Sequence, residues 1–225
     1  MRNMEFKFIA TSDKGEVSAI LIKPKGATHL LVLGHGAGAD MRSASMQKIA
    51  ENLAEQKIAT FRYNFPFKER GASGVDSPKV ATATVRSAVA AAKRIEPKIT
   101  LLAGGHSFGG RMTTTAQSES PLDGVKGLLL FSFPLHAPNR PDDSRAAHLS
   151  AVRIPMLFLT GTRDTLNELA LFRPLIKKLG DNATLHLLDT ADHGYKILKK
   201  TRQSDEDVFV EMARSAREWI DRVEA

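Results

Sequence analysis

The sequence predicts an α/β fold in one domain spanning residues 1–225, with a mostly parallel sheet and helices on both faces. Three observations carry that expectation. Apolar runs such as His29-Leu30-Leu31-Val32-Leu33 are continuous rather than alternating, the pattern of strands buried on both sides. These runs alternate along the chain with segments of helical period, joined by short connections. No linker, repeat or low-complexity tract interrupts the 225 residues, an ordinary length for one α/β domain.

Taken in order, Phe6, Phe8 and Ile9 and then Val17 to Ile22 read as two strands. They flank Ser12-Asp13-Lys14-Gly15, a turn composition that predicts an antiparallel N-terminal hairpin. The apolar run from His29 is followed at once by the glycine-rich loop Gly34-His35-Gly36-Ala37-Gly38-Ala39-Asp40. Met46, Ile49, Ala50, Leu53 and Ala54 recur at helical spacing, with Ser43 or Ser45 as cap. Ile58 to Tyr63 is the next strand, Asn64 to Pro78 a loop and Val80 to Ile95 an alanine-rich helix. Ile99 to Ala103 is a strand running into Gly104-Gly105-His106-Ser107-Phe108-Gly109-Gly110, after which Arg111 to Gln117 contains no helix breaker. Val125 to Phe131 is a strand, Pro134 to Ser144 a loop, and Ala146 to Ala151 a short helical turn. Met156 to Thr160 is a strand, Asn167 to Leu179 a helix ended by Gly180, and Thr184 to Leu188 the last strand. Ser204 with Asp207 resembles a capping box for a final helix with Val208, Met212, Ala216, Ile220 and Val223 on one face.

Composition narrows the function. With no cysteine there is no disulfide, thiolate nucleophile or cysteine-held metal, which suits a reducing compartment. The start, Met1-Arg2-Asn3-Met4-Glu5, leads into a charged segment, and no apolar run is long enough to span a bilayer, so a cytoplasmic location is expected. The net charge of +7 is largely scattered, with one cluster at Lys196, Lys199, Lys200 and Arg202. Only two tyrosines and one tryptophan are available to interleave with it, so it reads as solvated surface rather than a nucleic-acid site.

Chemistry concentrates where an apolar strand stops at a serine between glycines. Gly105-His106-Ser107-Phe108-Gly109 fits G-x-S-x-G, a turn that exposes a serine hydroxyl above a sheet. In a parallel sheet, ligands gather beyond the carboxyl ends of the strands, so partners for Ser107 should come from loops that follow strands. Among seven histidines, His193 in Thr190-Ala191-Asp192-His193-Gly194 follows the last strand and is the predicted general base. His35 and His136 also follow strands but lie in loops with other uses, and His106 is held beside the serine with its ring directed elsewhere. Asp164, directly after the Met156 strand, is the predicted orienting acid, with Asp189 in reserve; Asp192 is adjacent in sequence to the base and poorly placed to reach back. Backbone N–H groups of Phe108 and Ala37, with Gly38 as alternate, are the predicted oxyanion donors. The Gly34-to-Asp40 loop lacks the lysine and spacing of phosphate-binding loops.

With these residues in view, the chain from 5 to 222 resembles the α/β-hydrolase superfamily. The paired motifs Gly34-His35-Gly36-Ala37-Gly38-Ala39-Asp40-Met41 and Gly104-Gly105-His106-Ser107-Phe108-Gly109-Gly110-Arg111 are similar to those of a branch of small hydrolase-like proteins. That branch includes the testis-expressed hydrolase-like protein and the NSL complex regulatory subunit 3, with dienelactone hydrolase-type enzymes as more distant relatives. The resemblance implies an α/β-hydrolase fold with Ser107, Asp164 and His193 at the triad positions; no metal or organic cofactor is expected.

The segment Ser132 to Ala147, where lids are usually inserted, is too short for a cap domain. An open, shallow pocket edged by Phe65, Phe67, Phe133, Leu135 and Tyr195 is expected, suited to a short acyl ester or thioester. Arg62, Arg111 and Arg163 lie at the same end of the sheet, where they would either receive an anionic group or pair with Asp40 or Asp76. The resulting expectation is a serine hydrolase of the carboxylesterase type, acting on a small-molecule ester, with no membrane partner. The alternative is a non-catalytic protein-interaction module on the same scaffold, whose partner would be another protein.

Overall fold

A computed structural model describes residues 2–224. Its strands are β1 (Arg2–Thr11), β2 (Gly15–Lys23), β3 (His29–Gly34), β4 (Ile58–Tyr63), β5 (Thr100–His106), β6 (Val125–Phe131), β7 (Met156–Gly161) and β8 (Ala183–Leu188). Its α-helices are α1 (Ala44–Glu55), α2 (Pro66–Glu69), α3 (Pro78–Ile95), α4 (Phe108–Glu119), α5 (Leu169–Leu179) and α6 (Val208–Glu224), and a 3-10 helix spans Ser144–Ala151. The strands form one sheet in the order β1-β2-β4-β3-β5-β6-β7-β8. β1 pairs antiparallel with β2 and β2 antiparallel with β4, whereas every later pairing is parallel.

Side-chain alternation along the strands explains why both faces must be covered. Leu31, Leu33, Leu129, Phe131, Leu157 and Leu159 point to one face, where they meet Ile49 and Leu53 of α1 and Met212, Ala216 and Trp219 of α6. Their neighbours Leu30, Val32, Leu128, Leu130, Met156 and Phe158 point to the other, against Val85 of α3, Met112 of α4 and Phe172 of α5. β3, β4 and β7 are buried along their whole length, which is why they read as unbroken apolar runs. β3 and β5 lie side by side with Gly34 opposite Gly105. That register brings the two glycine-rich loops to the same carboxyl edge, and so creates the site.

Several local expectations are corrected. The stretch 64–78 contains α2, whose Pro66 occupies the first turn; four residues are too few to show a helical period. Ser43 precedes α1, but its hydroxyl donates to the Asp40 carbonyl rather than capping the helix. At α6 the cap is Asp207, which accepts from the Phe209 N–H at 2.8 Å, while Ser204 accepts from Glu206 in the preceding turn. α5 begins at Leu169 because Asn167 is held outside it, donating to the Phe133 carbonyl and to Thr160. Between β6 and β7 the 3-10 helix is the only helix among the described residues. No helix among them is long and apolar enough to cross a membrane.

Candidate active site

Ser107 stands alone between β5 and α4 with φ 51° and ψ −111°, a backbone region that a residue with a side chain seldom occupies. Neighbouring contacts hold it there. Its N–H donates to the Phe131 carbonyl of β6 at 2.9 Å, and its carbonyl accepts from the Arg111 N–H at 3.0 Å. The glycines allow β3, β5 and α4 to converge: a Cβ on Gly105 would lie 2.5 Å from the Gly34 oxygen, and one on Gly109 2.3 Å from the same atom.

The structure brings the three predicted side chains together. His193 Nε2 lies 2.9 Å from Ser107 Oγ, and His193 Nδ1 lies 2.9 and 3.0 Å from the two oxygens of Asp164. Asp164 is 4% exposed and also accepts the Leu166 N–H, so its position is fixed from two sides. A carboxylate can only accept, so Nδ1 carries the proton and Nε2 is left to receive the serine proton. The other acids are committed elsewhere. Asp189 takes the Gln203 N–H, and Asp192 takes the N–H groups of Gly194 and Lys196 to close the turn around His193.

Two further histidines lock the backbone of the site, and the sequence patterns did not single them out for this. His35 is fully buried; its Nδ1–H donates to the Gly36 carbonyl at 2.8 Å, and its Nε2 accepts the Phe65 N–H at 3.1 Å. The Gly36 carbonyl also accepts from the Ala39 N–H. A trans peptide places its N–H opposite its carbonyl, so anchoring Gly36 O turns the Ala37 N–H away from His35. Gly36 itself lies against His106 and Ser107, which puts this peptide beside the elbow. The Phe108 N–H, first in α4, has no intrahelical acceptor. His106 packs between His193 and Tyr195 and donates from Nε2 to the His193 carbonyl at 3.0 Å, tying the end of β5 to the loop that carries His193. Both histidines lie next to a loop glycine or the serine in sequence, but nothing in periodicity reveals a ring-to-backbone bond.

Burial lowers the pKa of both His35 and His106 to about 4. Between about pH 4 and the ordinary value of 6.5 the unfolded chain therefore binds more protons than the folded one, so stability falls as pH drops through that window. Each residue contributes a loss on the order of 3 kcal/mol across the window. His136 has the opposite shift: although burial lowers it, the Ala137 carbonyl and Glu168 raise it overall. Its contribution is complete below 6.5 and is lost above it, so it does not offset the acid limb. Urea unfolding at pH 7, 6, 5 and 4 should show a progressive fall in ΔG; a flat profile would mean that these rings are not buried as neutral groups.

The expected pocket wall is corrected. Phe65, Phe67, Phe133, Leu135 and Tyr195 are each at most 3% exposed. Phe65 and Phe67 stack on one another and pack edge-on against Phe108 and His35, while Phe133 packs on Phe158 and Tyr195 on His106 and Phe209. These rings are the floor under the loops, because apolar residues next to a sheet edge gain more by packing than by lining water. The arginine pairings also differ from expectation. Asp76 bonds Arg70 and the Phe67 N–H, Arg62 donates to the Met41 carbonyl, and Arg163 to the Thr190 carbonyl. In the basic cluster, Lys196, Lys199 and Lys200 are exposed, but the Arg202 side chain is buried against Glu211 and the Asp189 carbonyl.

A parallel sheet covered on both faces, with a strained serine after one strand and an acid and a histidine after two later ones, defines the hydrolase-like class of α/β proteins. The chain belongs to the alpha/beta hydrolase domain family, whose model matches residues 27–221. Among solved structures it is similar to dienelactone hydrolase from Anabaena variabilis, at 18% identity and TM-score 0.75 over 99% of each chain. It is also similar to a serine hydrolase without lid from Xanthomonas campestris, at 17% identity and TM-score 0.75 over 99% of this chain and 95% of that one. An esterase domain from Rhodothermus marinus matches at 16% identity and TM-score 0.72 over 99% of each chain. The superfamily suggested by the paired glycine motifs is thus the one to which the chain belongs.

Proposed function

We propose that this protein is a serine hydrolase of the carboxylesterase type, cleaving a small carboxylic ester or thioester through an acyl-enzyme intermediate. The observation that carries the reading is the continuous chain of hydrogen bonds from Asp164 through His193 to Ser107 Oγ, at 2.9 to 3.0 Å throughout. In this mechanism Ser107 Oγ attacks the ester carbonyl as His193 Nε2 takes its proton, and Asp164 stabilises the imidazolium. The tetrahedral oxyanion is received by the N–H groups of Ala37 and Phe108, the first oriented by His35 and the second at the start of α4. Collapse breaks the bond to the alcohol, which leaves with the proton from His193. A water then repeats the sequence, releasing the acid and regenerating Ser107. The connection between β6 and β7 holds only a 3-10 helix and is too short for a cap domain, which supports open access and a short acyl chain.

The experiment is labelling of the folded protein with a fluorophosphonate, followed by mass mapping. A single adduct at Ser107 is expected. A folded protein that takes no label there would overturn the reading in favour of the non-catalytic interaction module.

A further inference from the structure

Arg111 is a cation with no assigned use, one turn into α4. A helix rises about 5.4 Å per turn, and helical side chains lean toward the N-terminus, so this side chain extends back toward the nucleophile. Its guanidinium lies 5.9 Å from the centre of the ring of Phe108, the residue after Ser107. It is half-buried, yet among the described residues no carboxylate pairs with it, and the charge that most affects it is another cation, Arg145.

The packing of α4 on the 3-10 helix explains that pairing. Thr114, three residues beyond Arg111 and on the same side of α4, bonds His148 Nε2 at 2.7 Å. His148 lies three residues beyond Arg145, and residues at that spacing eclipse one another in a 3-10 helix. The Arg111/Thr114 and Arg145/His148 faces therefore meet. Arg145 uses one nitrogen to donate to the His136 carbonyl at 2.9 Å. Asp142 is the acid whose charge responds to Arg145, but it is exposed and bonded to Ser144, with no ion pair to either arginine. Burial keeps His148 from ionising easily, lowering its pKa to about 4, so it adds no third charge near neutrality. Two neighbouring guanidiniums repel unless an anion offsets their charge, and a planar fork of N–H donors matches a carboxylate.

We infer that Arg111, backed by Arg145, forms a carboxylate subsite beside Ser107, so that the preferred substrates are half-esters of short dicarboxylic acids. The inference rests on the serine hydrolase reading for its catalytic consequence, but not for the binding itself.

The test compares kcat/KM for mono-p-nitrophenyl glutarate and for p-nitrophenyl hexanoate in the wild type, Arg111→Met and Arg145→Met. The wild type should prefer the anionic ester, and the preference ratio should fall by about 30-fold in Arg111→Met and less in Arg145→Met. Calorimetry of glutarate with Ser107→Ala provides an arm that needs no turnover: binding should be seen there and lost when Arg111→Met is added. Ester cleavage with an unchanged ratio, or no glutarate binding to Ser107→Ala, overturns the subsite and leaves the hydrolase reading standing. Glutarate binding that depends on Arg111 in a protein that cleaves neither ester overturns the hydrolase reading and leaves the subsite standing. If Arg111→Met does not fold, the ratio and glutarate binding in the Arg145→Met background decide in the same way.

Discussion

Ser107→Ala is expected to lower kcat for a p-nitrophenyl ester by about 10⁶-fold and to abolish fluorophosphonate labelling, with the melting transition little changed. The rate effect is large because, in the proposed mechanism, Ser107 is the nucleophile and is removed outright. The stability effect is small because Ser107 Oγ makes one hydrogen bond, to His193, while the strained backbone is held by the Phe131 carbonyl and the Arg111 N–H, which alanine leaves in place. His193→Ala should cost a similar factor, since without its Nε2 the hydroxyl has no acceptor within reach. The double variant should be no slower than either single one. Groups that act as one unit fail together, and what remains comes from the Ala37 and Phe108 N–H groups and from substrate binding. Losses that multiplied in the double variant, or a single variant within 10-fold of the wild type, would show that the two side chains act separately.

The parts of this site legible in the sequence are those fixed by chain order and strand ends. Ser107, Asp164 and His193 each lie in a segment that follows a strand, so the rule that ligands gather at carboxyl edges narrows the choice to a few residues, and the Ser…Asp…His order selects among them. Asp189 also ends a strand, and position alone places it below Asp164; its carboxylate is occupied by the Gln203 N–H. What could not be read was where a side chain turns after leaving the backbone. His35 and His106 bond carbonyls, a choice set by tertiary packing that leaves no periodic trace. From the sequence, Phe65 and Phe67 are expected at the edge of the pocket. Instead α2 folds them inward, and a four-residue helix is too short to reveal its buried face. The sequence offers Asp40 or Asp76 as partners for the arginines at this end of the sheet, whereas Asp76 meets Arg70, only six residues away.

The second large effect is on folding. Gly109→Ala adds one methyl group, whose carbon would stand 2.3 Å from the Gly34 oxygen, 2.4 Å from its carbonyl carbon and 2.9 Å from its Cα. All three are backbone atoms, so no side chain can rotate away. Gly34 cannot retreat either, because it pairs with Tyr63 on one side and Gly105 on the other at the centre of the sheet. Relief requires α4 to lift from β3 and β5, which uncovers Phe108 and Met112 and loosens the contacts that hold Ser107 in its strained conformation. A loss of at least about 3 kcal/mol is expected, a large share of the stability of a domain this size. Gly74→Ala is the matched comparison: nothing lies within 4 Å of its added carbon, and its backbone is not in the left-handed region. It should be neutral or stabilising by about 0.5 kcal/mol through the unfolded chain. Denaturant midpoints of the two variants, measured side by side, separate steric closure at the elbow from the general effect of replacing glycine. Equal midpoints would mean that α4 can move, and that the serine's strain is not imposed by this crossing.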